Sequence, residues 1–323
     1  MTTWQSSSVT GSVIALACGD ALGAAVSGMS SAQIAQAFPL GLDQYQAGHA
    51  LSRLPDHPPG LPTDDTEMTL GLTEAYLLEA GMLRIPTLIR SWVRWYHEGP
   101  YWELGPDGTC HQALMKLANG VSFLKSAQPS PGSGSAMRAA PVGLIFAFEE
   151  THRHSDALLQ SALTHDHPDA AAGSLCMAEA IAFLLRTHQR PFSRDAFLST
   201  LVDATLPHSP GFAKALQTLP RKPRDLSEDV TETVPAALSL FLQHRDDLPA
   251  AVMAAATTGG PTDTLASMVG SLAGAYLGQD AIPASWRDGL QILPRIERAA
   301  QGINILGNAR WACLEDTGQQ PDG

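Results

Sequence analysis

Apolar residues recur along this chain at three- and four-residue spacing, a pattern that predicts helices. The clearest runs cover residues 11–26, 67–79, 86–96, 136–150, 166–187, 234–243 and 262–278. Each is rich in Ala, Leu and Met, and several are bounded by Pro or Gly, which end helices. No stretch alternates apolar and polar positions with the β-branched bias of a strand. Loops rich in Pro and Gly separate the runs at 54–62, 99–109, 128–135 and 207–225, and none has the length or bias of an interdomain linker. The pattern predicts one compact all-α domain, a single helical bundle over residues 1–315, followed by a disordered tail at 316–323. Functional residues are expected on loops at helix starts.

Composition narrows the partners. Hydrophobic residues make up 44% of the 323 positions, ample for a buried core, and only 16% are charged. A net charge of −12 disfavours long nucleic acids, whose recognition runs on clustered Lys and Arg. The four cysteines, Cys18, Cys110, Cys176 and Cys313, form no Cys-x-x-Cys pair, so a reducing, cytoplasmic setting is expected. The N-terminal residues lack the basic-then-apolar order of a signal peptide. The apolar run at 13–18 is cut by Asp20 and reads as too short for a membrane span, so no membrane partner is expected.

Two helix starts carry unusual chemistry. In Pro62-Thr63-Asp64-Asp65-Thr66-Glu67, two adjacent carboxylates sit between threonine hydroxyls just ahead of an apolar-periodic run. A capped helix with acids near its positive end accounts for one of them. Two together repel unless a cation lies between them, and hard oxygen donors suit Mg²⁺, Mn²⁺ or Ca²⁺. Taken alone, this cluster leaves both readings open. Thr257-Thr258-Gly259-Gly260-Pro261-Thr262-Asp263-Thr264 repeats the chemistry about two hundred residues later, so two helix starts could face each other across a shared metal. Asp20 lies inside an apolar run and reads as a buried, hydrogen-bonded acid. The bare Gly132-Ser133-Gly134-Ser135 motif reads as a flexible turn more readily than as a phosphate cradle. On its own His165 reads as a cap or a packed polar residue more readily than as a ligand contact, while His111, His152, His154 and His167 read as surface residues.

Taken together, these segments resemble the ADP-ribosylglycohydrolases, the family of the dinitrogenase reductase-activating glycohydrolase and the ADP-ribosylarginine hydrolases. The resemblance starts at Gly19-Asp20-Ala21-Leu22-Gly23-Ala24 and takes in Thr63-Asp64-Asp65-Thr66. It continues through residues 132–141, Thr164-His165 and residues 259–264, and closes on Ile282-Pro283-Ala284-Ser285-Trp286. It implies an all-helical bundle with a two-metal centre that hydrolyses the N- or O-glycosidic bond between ADP-ribose and an acceptor. The implied partner is an ADP-ribosylated protein or small molecule.

Carried over residue by residue, Thr63, Asp64 and Asp65 match the family's first ligand set. Asp263 and Thr264 match two of the three in the second. The implied metal is Mg²⁺ or Mn²⁺, and Asp64, Asp65 and Asp263 are the candidate catalytic carboxylates, with no choice made among them. Gly132, Ser133, Gly134 and Ser135 match the loop that would cradle diphosphate and ribose, and His165 stands where the family sets a histidine against ADP-ribose. The chain departs from the pattern at Pro261, where an aspartate is usual, at Ser27, where a glutamate is common, and at Ser133, where an asparagine is usual. These departures leave the first metal site complete and the second short of a ligand. The alternative they raise is an ADP-ribose-binding protein of the same fold with weakened catalysis.

Overall fold

The computed structural model describes residues 4–98, 108–188 and 190–316. Among these residues there are fifteen α-helices and no strand. The first five are α1 (Ser6–Ala24), α2 (Ser31–Ala37), α3 (Asp64–Leu78), α4 (Ile85–Glu98) and α5 (Gly108–Ala118). The middle of the chain forms α6 (Ala140–Ile145), α7 (Glu150–Ser161), α8 (Pro168–Thr187), α9 (Arg194–Thr205) and α10 (Pro210–Gln217). The remainder forms α11 (Val230–Gln243), α12 (Leu248–Ala256), α13 (Thr262–Leu277), α14 (Ala284–Gly289) and α15 (Leu293–Asp316). The expected all-α bundle is therefore what the chain forms.

Its axis is the pair α1 and α13, packed antiparallel along their lengths. Small residues make this approach possible. A Cβ on Gly19 would stand 2.0 Å from the Ala266 carbonyl oxygen, and one on Gly23 would stand 2.3 Å from that of Thr262. Helix backbones this close leave no room for a methyl group. α12 packs against both helices of the pair, α15 lies against α1, α8 and α11 lie against α13, and α3 reaches α1 from the side. Nearly every residue of α1 from Ser8 onward is buried. The run at 13–18 thus belongs to a helix long and apolar enough to cross a membrane, as is α8, but 89% of the α1 window and 83% of the α8 window are buried inside the fold. The antiparallel pairing has a chemical consequence. It sets the C-terminal half of α1, with Asp20, beside the first turn of α13, with Asp263.

Several element boundaries differ from the sequence expectation. The run at 136–150 is not one helix: a 3₁₀ turn at Ser133–Ser135 leads into the short α6, which ends before Phe146. Pro141 explains the break, because proline lacks an N–H and its ring clashes with the carbonyl four residues back, so it favours a first turn, where it stands in α6. The loop expected at 207–225 contains α10, started by Pro210 and by the Ser209 hydroxyl, which accepts from the Phe212 N–H at 3.0 Å. α11 begins four residues early because Asp229 caps it, accepting from the Thr231 N–H at 2.8 Å. Residues 99–107 of one expected loop and 317–323 of the expected tail lie outside the described residues.

Candidate metal and ADP-ribose site

The site is built outward from Asp20, which is fully buried. Its carboxylate accepts from the Thr63 N–H at 3.0 and 2.9 Å, the Thr63 hydroxyl at 2.8 Å, the Thr66 N–H at 3.0 Å and the Thr66 hydroxyl at 2.6 Å. Thr63 therefore does not cap its own helix by its side chain; its hydroxyl lies between Asp20, at 2.8 Å, and Asp65, at 3.3 Å. Thr262 is not a cap either. Pro261 holds that place in α13, and the Thr262 hydroxyl donates to the Gly23 carbonyl at 2.8 Å. Both threonines thus lock helix starts onto α1 and do not serve as ordinary N-caps.

This locking turns the two acidic segments toward each other. Asp65 Oδ2 accepts from the Thr63 hydroxyl at 3.3 Å and from the Thr264 hydroxyl, across from α13, at 3.2 Å. Asp65 Oδ1 is buried and has no hydrogen-bond partner among the described residues. Asp64 is buried beside it. Asp263 is fully buried: its Oδ1 accepts from the Ser27 hydroxyl and from the Thr264 N–H, both at 2.9 Å, and its Oδ2 takes a 3.0 Å ion pair from Arg53 Nη2. The carboxylates are drawn to hydroxyls, amides and one guanidinium. Among the described residues no group of three His, Cys, Asp or Glu side chains stands in ready-made ligating geometry.

A buried carboxylate oxygen with no donor is costly unless it is protonated or meets a cation. The groups around the Asp65 carboxylate are hard oxygens: the Thr63 and Thr264 hydroxyls on its Oδ2 and the neighbouring Asp64 carboxylate, whose charge acts on it. This set fits one Mg²⁺- or Mn²⁺-like ion.

Proton affinities record the same strain. Burial above all, then the charges of Asp20, Asp64 and Asp263, holds the Asp65 carboxyl well above the usual carboxylate range, with Arg53 pulling it back. Burial raises Asp20 to about 7 against the opposing hydroxyls of Thr66 and Thr63, with Asp263 adding to the rise. Both groups bind protons more tightly folded than unfolded, where an aspartate titrates near ~3.9. Folding then loses stability as pH rises through the window from about 4 to about 7. In a chelator, calorimetric melts of the wild type are expected to move down between about pH 4 and about pH 7, and Asp65→Asn to flatten that slope. A melting point rising with pH over this range would count against the buried acid cluster.

The second half of the site is the turn at Gly132–Ser135. The Gly132 N–H is taken by the Ser130 hydroxyl at 3.2 Å and the Ser133 N–H by the Glu228 carbonyl at 3.0 Å. The Ser133 hydroxyl is buried without a partner among the described residues. Gln160 Nε2 donates to the Ser135 carbonyl at 2.8 Å, and the Thr164 hydroxyl sits 2.7 Å from His165 Nδ1. Arg138 is wholly buried: it donates to Gln160 Oε1 at 2.7 Å and to the Thr164 hydroxyl at 2.7 Å, and lies 4.3 Å from the centre of the Trp92 ring. It holds the turn and the His165 segment together and does not reach out to a ligand.

The chain Ser133–Glu228–Arg53–Asp263 ties this turn to the acids, through a 3.5 Å contact between Arg53 Nη1 and Glu228 Oε1. Sequence reasoning did not single out Arg53 or Glu228. One signal was present: Arg53 is the only Lys or Arg in the first 83 residues. Of the four histidines read as surface groups, only His152 is exposed; His111, His154 and His167 are half-buried. His167 caps α8, its Nδ1 accepting from the Asp169 N–H at 3.2 Å, and His154 lies 2.7 Å from Glu179, which also takes Arg153 at 2.6 Å. His154, Glu179 and Arg153 line a separate cavity of about 690 Å³, in which Arg153 and Arg186 both pair with Glu179.

The comparisons with known proteins bear on the chain as a whole. A family model described as ADP-ribosylglycohydrolase matches residues 1–313. The chain belongs to the ADP-ribosylglycohydrolase family. It is similar to the ADP-ribosyl-[dinitrogen reductase] glycohydrolase of Rhodospirillum rubrum, at 27% identity over 289 residues that cover 89% of this chain and 91% of the relative. It is similar also to the ADP-ribosylarginine hydrolase Tri1 of Serratia proteamaculans, at 29% identity over 257 residues, 76% of this chain and 67% of the relative. A solved structure titled ADP-ribosylglycohydrolase-related protein complex aligns with a TM-score of 0.76 at 28% identity, covering 94% of this chain and 98% of that one. Family and fold of the ADP-ribosylglycohydrolase type thus agree with the resemblance carried by residues 19–24, 63–66 and 259–264.

Proposed function

We propose that this chain is a metal-dependent hydrolase that releases ADP-ribose from a modified protein side chain or small molecule. The observation that carries this reading is Asp65 Oδ1, a buried carboxylate oxygen without a partner among the described residues, set between two helix starts of matching chemistry. Asp64, Asp65, Thr63 and Thr264 would hold the cation, with Mg²⁺ or Mn²⁺ the chemistry that suits them. When bound, the ion supplies Lewis acidity toward ribose oxygens and lowers the proton affinity of a bound water. Asp65 Oδ1, which no donor occupies among the described residues, would be the carboxylate oxygen open to the ion or to a proton of its bound water. Asp263 is occupied by Ser27 and Arg53 and acts as an anchor. The turn at Gly132–Ser135 and His165 would receive the diphosphate and the neighbouring ribose.

The relatives that carry a named activity are glycohydrolases or hydrolases of ADP-ribose linkages, which supports the reaction class. The test is release of free ADP-ribose, resolved by chromatography, from ADP-ribosyl-arginine protein, ADP-ribosyl-serine peptide and O-acetyl-ADP-ribose. Each is incubated with Mn²⁺ or with EDTA. No release from any of them would refute the hydrolase reading.

Metal binding has its own readout. A ligand that binds only the folded state at a hundred times its Kd adds about 2.7 kcal/mol. With an unfolding entropy of about 2.1 cal/mol/K per residue, that raises the melting point of a chain this long by roughly 4 °C. Mn²⁺ is expected to give this shift in the wild type and none in Asp65→Ala; equal melts with Mn²⁺ and EDTA in the wild type would remove the metal from the proposal.

Arg53 on Asp263 favours a second reading, a protein that binds ADP-ribose and turns it over slowly or not at all. Calorimetric binding of ADP-ribose without release in any assay would select it.

A further inference from the structure

The carboxylate cluster already contains a cation. Arg53 comes from the loop between α2 and α3, where its N–H donates to the Ser27 carbonyl at 2.6 Å. Its Nη2 lies 3.0 Å from Asp263 Oδ2 and its Nη1 lies 3.5 Å from Glu228 Oε1. The planar fork of a guanidinium spans two carboxylates in this way, where an ammonium would act as a single point charge.

The two sides of the cluster differ in what they leave open. On the α13 side, Asp263 Oδ1 is taken by the Ser27 hydroxyl and the Thr264 N–H, and Oδ2 by Arg53. The neighbouring Pro261 offers no side-chain donor. On the α3 side, Asp65 Oδ1 stands buried with no partner among the described residues. Demand for positive charge is met at one end and unmet at the other.

We propose that Arg53 is a built-in cation that occupies the α13 half of the centre, so that the protein holds one divalent ion, at Asp65, and not two. The inference rests on the metal reading given above. One guanidinium and one divalent ion leave the four carboxylates Asp20, Asp64, Asp65 and Asp263 a single charge short of neutral when all are ionised. The same contacts make Arg53 a positioning residue, because through Glu228 it fixes the acids relative to the turn at Gly132–Ser135.

Equilibrium dialysis against Mn²⁺, with bound metal counted by atomic absorption, tests this without reference to activity. The wild type and Arg53→Lys are expected to saturate at one Mn²⁺ per chain, and Arg53→Ala to take up a second, weaker one once Asp263 is released. Pro261→Asp, which adds a carboxylate but keeps Arg53, is expected to stay at one. If Arg53→Ala fails to fold, Arg53→Gln serves in its place, since it keeps a donor for Asp263 and loses only the charge.

Two Mn²⁺ in the wild type would overturn the inference and leave the metal reading intact. A count of one in both the wild type and the neutral Arg53 variant would also overturn it, as would a second ion gained in Pro261→Asp. No Mn²⁺ in any protein would overturn the metal reading and this inference together.

Discussion

Replacing Asp65 by asparagine is expected to lower ADP-ribose release by about 10²- to 10⁴-fold, the range over which a positioned proton acceptor contributes to rate. The loss should appear in the catalytic rate more than in ADP-ribose affinity, because the turn at Gly132–Ser135 is untouched. Asparagine keeps the side chain's shape, and its carbonyl can still accept from the Thr63 and Thr264 hydroxyls that hold Oδ2. It also removes one of four crowded charges, so in a chelator the variant should melt no lower than the wild type. Single-turnover release on the best substrate, paired with melts in EDTA, separates the two effects. Full activity in a folded Asp65→Asn protein would move the chemistry to another carboxylate.

Gly19→Ala is expected to cost upwards of about 3 kcal/mol of folding stability, the upper range for overpacking a rigid contact. The added methyl group would lie 2.0 Å from the Ala266 carbonyl oxygen, which is helix backbone and cannot turn aside. Alanine is the better helix former by about 1 kcal/mol, which offsets only part of this. Because Gly19 precedes Asp20, forcing α1 from α13 would also loosen the site, so metal affinity should fall with stability. Urea unfolding and Mn²⁺ titration of the same preparation provide the check. A Gly19→Ala protein as stable as the wild type would show that the α1–α13 contact is looser than its glycines suggest. Gly108, where an added methyl group would meet nothing within 4 Å, is the matched control.

The fold class was legible because helical periodicity is local: apolar residues three and four apart lie on one face whatever surrounds them. Boundaries were less so. Pro141 could have been read as a helix start, and was hidden by the unbroken apolar run around it. The acids of the site were visible because Thr63 to Thr66 carry their chemistry within four consecutive positions.

Their roles were not visible. Thr63 read as a cap or a ligand, and only the distant partner Asp20 shows that its hydroxyl holds a buried carboxylate; the Thr262 hydroxyl likewise goes to the Gly23 carbonyl. Ser27 and Pro261 read as lost ligands, but Ser27 donates to Asp263 across 236 positions, where no spacing rule reaches. Arg53 belongs to no motif. Its significance comes from a partner 210 positions away.

That the site is stitched from both ends of the described chain bears on the order in which it is made. Thr264 follows Asp65 by 199 positions, and α1 has no α13 to lie against until those residues exist. A chain emerging N-terminus first therefore carries an apolar helix without its partner and a set of acids without their counter-charge. Contacts this distant close slowly, because the intervening segment must be organised before they form. Any ion held there would then load as the closing event of biosynthesis and not as its nucleus, and an interrupted chain ending anywhere before α13 would have the first three acids and no centre.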